Sequence, residues 1–134
     1  MKTKRMIILA SMMVAAFLFV FANNLMAQKT PGPWDIPAKY KTMKGKGDLA
    51  TGKELFAKHC KSCHGAKGLG DGPKAAGLKT SCGDFSSANF QKATDGEIYY
   101  KSIIGRDEMP NYEKKIPDEA DRWSLVAYIR TLKK

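Results

Sequence analysis

Cys60-Lys61-Ser62-Cys63-His64 is the stretch of this sequence with the clearest chemistry. On a helical turn, positions i and i+3 share a face, so both thiols can reach one edge of the same flat group. C-x-x-C-H is the attachment signature of a covalently bound haem. Each thiol adds across a vinyl group to leave a thioether, and the following histidine is held under the iron as its proximal ligand. Two other chemistries use paired cysteines. A zinc site needs a second ligand pair, and His59 with Cys82 makes a poor one. A thioredoxin-like redox pair needs no following histidine and expects a βαβ context, which the pattern does not supply.

The second residue of interest is Met109, in Arg106-Asp107-Glu108-Met109-Pro110. Beyond the N-terminal segment the chain has two methionines, Met43 and Met109. Met43 precedes the haem motif; Met109 lies well beyond it and is fixed by a proline. A methionine in such a place commonly fills a gap in the core. With a haem present and one axial position vacant, ligation from the side opposite His64 is the expected role. Cys82 is the odd thiol. It reads either as a small buried residue in a loop or as a reactive or intermolecularly paired cysteine.

Three helices must position these groups. The first should run from about Asp48 into the motif, with Leu49, Phe56 and the two cysteines at helical spacing. Gly52 within it costs about 1 kcal/mol relative to alanine, so it marks a close helix crossing. The glycine-rich stretch 65–73 must be a loop. It can wrap the proximal side and offer a carbonyl to the free ring N–H of His64, the contact that fixes a ligand's tautomer. Thr94-Asp95-Gly96-Glu97 is a capping box opening a helix that Gly105 stops. A last helix begins near Pro117, with Asp118, Glu119 and Asp121 at its positive end.

The N-terminus is separate from this domain. Lys2, Lys4 and Arg5 precede an apolar run over 6–22, and residues 1–27 read as a secretory signal peptide cut after Ala27. Leu25 stands where a small residue is usual, so an uncleaved anchor is the alternative. No cysteine lies nearby for lipoprotein processing. Residues 28–47, with Pro31, Gly32, Pro33 and Pro37, read as an extended arm pinned by Trp34 and Ile36. Residues 48–134 form the haem domain, small for a core of its own. Export suits the motif, because haem attachment takes place outside the cytoplasm, here in a bacterial periplasm.

The net charge is +10, with 23 basic and 13 acidic residues. Three basic residues lie in the signal segment, which leaves 20 against 13, or +7. Lys61, Lys67, Lys74 and Lys79 crowd the haem motif, which favours a redox partner with an acidic docking surface over a merely solvated face. Nucleic-acid motifs are absent, so nucleic acid is not an expected partner. Membrane contact is expected only if the signal segment is retained.

Taken together, these residues resemble a class I c-type cytochrome. The likeness is to the small exported mono-haem kind similar to the haem domains of cbb3-type oxidase subunit III. It rests on Gly52-Lys53-Glu54-Leu55-Phe56, Cys60 through Gly65, Gly70-Asp71-Gly72-Pro73, Leu78-Lys79 and Asp84-Phe85. Thr94 through Glu97, Gly105-Arg106, Met109-Pro110 and residues 121–130 complete it. Thr80-Ser81-Cys82 departs from the family pattern. The resemblance implies an all-α cytochrome c fold of three to four short helices around one haem c, with the first and last helices crossing near Gly52 and Phe56. It implies iron held by His64 and Met109, and a non-enzymatic electron carrier. The alternatives are a subunit of a larger respiratory or periplasmic oxidoreductase, or a sensor or enzyme with an open iron site.

Overall fold

The computed structural model describes residues 32–134. The expected signal peptide, and the first four residues of the arm, lie outside the described residues. Helices α1 (Ala38–Lys41), α2 (Leu49–His59), α3 (Lys61–His64), α4 (Ala88–Gln91), α5 (Asp95–Tyr99) and α6 (Glu119–Thr131) follow in order. A 3₁₀ turn (Ala75–Gly77) sits between α3 and α4, and α5 runs on into a π-helical turn (Tyr100–Ile104). Among the described residues there is no strand; Arg106 and Met109 form an isolated bridge. The fold is all-α, as expected.

The frame is the crossing of α2 and α6. Gly52 is buried there, and a Cβ at that position would overlap the carbonyl oxygen of Ser124 in α6. The missing side chain lets the two backbones touch, and this offsets the helix propensity that glycine forfeits. Ser124 also ties the ends together: its hydroxyl accepts from the Asp48 N–H at 2.9 Å and donates to the Ala120 carbonyl at 2.8 Å. Phe56, 2 % exposed, lies one turn further along α2, its ring 5.4 Å from that of Tyr128. Ile98 and Ile103 from the α5 segment and Leu125 and Ile129 from α6 complete the centre, each at most 1 % exposed. Such side chains contribute about 1.5–3 kcal/mol apiece when fully buried.

The local signals are met closely. Asp48 caps α2 by accepting from Thr51 N–H at 2.8 Å. Thr94 and Glu97 form the reciprocal capping box of α5, at 3.2 and 2.7 Å. The last helix starts at Glu119, two residues after Pro117, because Asp118 is its cap and accepts from Ala120 N–H at 2.7 Å.

Three details differ from expectation. The arm is extended except for α1, a helical turn in which Tyr40 N–H donates to the Pro37 carbonyl at 2.9 Å. Tyr40 packs against Tyr100 at 4.7 Å, and this tertiary contact holds a turn that the prolines argue against. The α4 turn, capped by Ser87, was not legible as a helix. Arg130 of α6 braces it, donating to the Gln91 and Ala93 carbonyls and pairing with Asp95 at 2.7 Å. The helix opened by Thr94 does not stay α-helical to Gly105. It widens to a π turn, and the Ile103 carbonyl accepts instead from Tyr112 N–H at 2.7 Å. Mid-helix π turns often occur beside functional sites.

Candidate haem site

The motif sits where α2 ends. Cys60 breaks the helix, α3 restarts it for one turn, and both thiols and His64 open onto one cleft of about 570 Å³. That volume falls within the roughly 300–1,000 Å³ typical of ligand pockets. The loop after His64 folds back over the motif. Gly70 N–H donates to the His64 carbonyl at 2.9 Å, Gly72 to Cys63 at 3.1 Å, and Lys74 to Ser62 at 2.9 Å. These bonds occupy carbonyls that a helix end otherwise leaves without a partner.

His64 is buried, 8 % exposed, and its ring stacks on Phe85 with centroids 4.4 Å apart. Burial pushes the imidazole down to about 4, opposed by the nearby backbone of Cys82. The ring is therefore neutral at physiological pH, the form in which a histidine offers a lone pair to a metal. Its Nδ1 is buried without a hydrogen-bond partner. The expectation that loop 65–73 would supply a carbonyl to this ring is not met. The backbone facing the imidazole belongs instead to Cys82, in 80–83. Burial likewise pushes the Cys60 thiol up to about 12, with Cys63 adding to the shift.

Met109 lines the same cleft as Cys60, Cys63 and His64. Its turn is tied down at both sides. Met109 N–H donates to the Arg106 carbonyl at 2.8 Å, while the Glu108 carboxylate accepts from the backbone of Lys79 and Thr80. Beyond it, the buried Tyr112 hydroxyl donates to the His59 carbonyl at 2.9 Å, joining this segment to the residue before Cys60. Met43, the other methionine considered, packs against the hydrophobic core. Cys82 is a free, half-buried thiol on the cleft wall; burial raises its pKa, as do Cys63 and Glu108 nearby. No disulfide occurs among the described residues.

The residues fit a haem. Two thiols one turn apart, a buried imidazole with an unpartnered nitrogen, and a soft thioether meet in one cleft with apolar walls. The rim is mixed in charge. Lys58, Lys74, Lys101, Lys115 and Arg106 line it together with Asp107 and Glu108. Of the four lysines singled out in the sequence, Lys74 reaches the cleft, whereas Lys61, Lys67 and Lys79 are exposed outside its lining.

The Cytochrome c family matches this chain over residues 49–133. The chain belongs to the cytochrome c family. Its members carry haem c, and Cys60, Cys63 and His64 stand at the attachment spacing. The solved structure of the KustC0563 c-type cytochrome is similar, with a TM-score of 0.53 and 32 % identity, covering 62 % of this chain and 98 % of that one. A cytochrome bc1 complex cytochrome c subunit of Corynebacterium diphtheriae is 28 % identical over 96 residues, 72 % of this chain. The chain spans about a third of that relative's length, since the match covers 31 % of it. Haem-based electron transfer is thus the activity this cytochrome domain belongs to. No helix among the described residues is long and apolar enough to cross a membrane.

The sequence did not single out Trp34, Glu108 or Tyr112 as parts of the site. A carboxylate next to Met109 and an aromatic three residues after it were visible, but their partners are backbone groups, and these have no sequence signature.

Proposed function

We propose that this chain is a periplasmic one-electron carrier rather than an enzyme, holding a single haem c through Cys60 and Cys63, with His64 and Met109 as the iron ligands. The convergence of these four side chains on one cleft carries this reading. When bound, the haem supplies an iron that alternates between ferric and ferrous states. The two thiols fix the ring edge to α2 and α3. The neutral His64 imidazole supplies a lone pair, and stacking on Phe85 fixes its plane. Met109 contributes a soft thioether, a ligand type that raises the potential by favouring the reduced state. If His64 and Met109 both hold the iron, the chain itself would occupy the positions that a substrate needs. The cations at the rim suit a redox partner with an acidic docking surface. The apolar run at 6–22 brings membrane contact if it stays uncleaved.

The likeness to a bc1 complex cytochrome c subunit favours a second reading, in which this domain works as the haem c subunit of a larger oxidoreductase. A sensor or enzyme with an open iron is a third, and Met109 in the cleft opposes it. Met109→Ala separates this third reading from the other two. The oxidised wild type should show the near-infrared band of ferric Met–haem and bind no carbon monoxide when reduced. The variant should lose the band, fall in potential and bind carbon monoxide. Ready carbon monoxide binding by the wild type would establish the open-iron reading instead.

A further inference from the structure

The turn that presents Met109 is held from outside by the N-terminal arm. Gly105 releases the preceding helix at a φ of 68°, and Asp107 follows at a φ of 49°. It is the one non-glycine residue at positive φ among the described residues, in a left-handed region that aspartate tolerates better than most residues. The turn is also held by contacts from outside it, and the arm supplies part of that support. The backbone of Arg106 supplies part of it, pairing with Met109 in an isolated bridge, with Met109 N–H donating to its carbonyl at 2.8 Å. The Arg106 side chain turns to the arm. One guanidinium nitrogen donates to the Pro33 carbonyl at 2.7 Å and the other to the Gly32 carbonyl at 2.5 Å. The guanidinium lies 4.1 Å from the centre of the Trp34 ring, and Trp34 meets Tyr100 of the π turn edge-on at 6.3 Å. Arg106 and Trp34 both line the haem cleft. Ile36, 7 % exposed, anchors the arm just beyond.

We infer that the arm is a latch on the Met109 turn, with Trp34 and Arg106 as positioning residues that hold the Met109 thioether in place. A planar fork that donates to two consecutive carbonyls while stacking on an aromatic face is a bonding pattern lysine cannot copy. Releasing the arm frees the side chain that anchors the first residue of the turn, and the turn can then shift. The arm thereby acts on the sixth ligand without touching it. This inference rests on Met109 being that ligand.

The test uses the haem-loaded protein with Trp34→Ala, Trp34→Phe, Arg106→Lys and, as reference, Met109→Ala. The readouts are the near-infrared ferric band, the rate of cyanide binding, and amide hydrogen exchange over 105–110. In Trp34→Ala and Arg106→Lys the band should weaken, exchange over 105–110 should speed up, and cyanide should bind about tenfold faster, equivalent to about 1.4 kcal/mol. Trp34→Phe, which keeps a ring under the guanidinium, should restore most of the wild-type behaviour. Wild-type values in Trp34→Ala overturn the latch. A change in Arg106→Lys with none in Trp34→Ala also overturns it, because the arginine then acts through the cleft and not the arm. A band that survives Met109→Ala overturns the ligand assignment instead, and exchange over 105–110 in the Trp34 variants then decides the latch on its own.

Discussion

Glu108 grips the backbone of Lys79 across the mouth of the cleft. Both carboxylate oxygens accept from Lys79 N–H, at 3.1 and 3.0 Å, and one accepts from Thr80 N–H at 3.0 Å. The turn carrying Met109 and the segment leading to Cys82 are thereby joined over a separation of 29 residues. Glu108→Ala should lower stability by about 1–2 kcal/mol, the low end for bonds to a charged acceptor because the group is exposed. Chemical denaturation of the haem-loaded protein checks this. An unchanged midpoint would mean that water replaces the carboxylate without loss.

Tyr112→Phe removes the donor to the His59 carbonyl and should cost about 1–2 kcal/mol. Burial raises the Tyr112 phenol above its ordinary 10.0. A raised folded pKa gives stability that is complete below the unfolded value and lost as pH rises through the folded one. The wild type should therefore lose stability above pH 10 more steeply than Tyr112→Phe. Parallel curves for the two proteins would remove Tyr112 as the cause.

Gly52→Ala tests the helix crossing. The helix gains about 1 kcal/mol of propensity, yet the new methyl meets the Ser124 carbonyl, which is backbone and cannot swing aside. Overpacking of this kind costs about 1–3 kcal/mol and more when backbone must move, so a net loss of about 2 kcal/mol is expected. Thermal unfolding should drop by roughly 10 °C. A rise in melting temperature would mean that the crossing has slack.

Replacing both Cys60 and Cys63 with serine should abolish covalent haem and, with it, stable folding, since so small a domain is marginal alone. Wild-type haem should stay with the denatured chain through gel electrophoresis. Extraction of wild-type haem by acidified organic solvent would contradict thioether attachment.

If the rim cations steer encounter, electron transfer to an acidic partner should slow as salt rises and the screening length shrinks to about 8 Å. A rate flat from low to physiological ionic strength would return these lysines to a solvated surface. Asp107 and Glu108 at the same rim should moderate the slope.

What the sequence determined by itself was everything encoded over a few residues. The C-x-x-C-H spacing, the Thr94 capping box, and Gly52 as a crossing point are local in nature. Each works through bonds or contacts within one helical turn, or through the absence of a side chain at one position. The all-α class came from the resemblance of these residues to the class I c-type cytochromes. Which distant groups meet was settled by the packing of the whole chain. The Arg106 guanidinium reaches carbonyls 73 and 74 residues away, and Tyr112 reaches a carbonyl 53 residues away. Every residue but proline offers the same backbone donor and acceptor, so no residue type marks in advance which of them a side chain will find. The backbone facing His64 shows the same limit. Loop 65–73 was nearest in the chain, but the chain's later return placed the Cys82 backbone beside the ring instead.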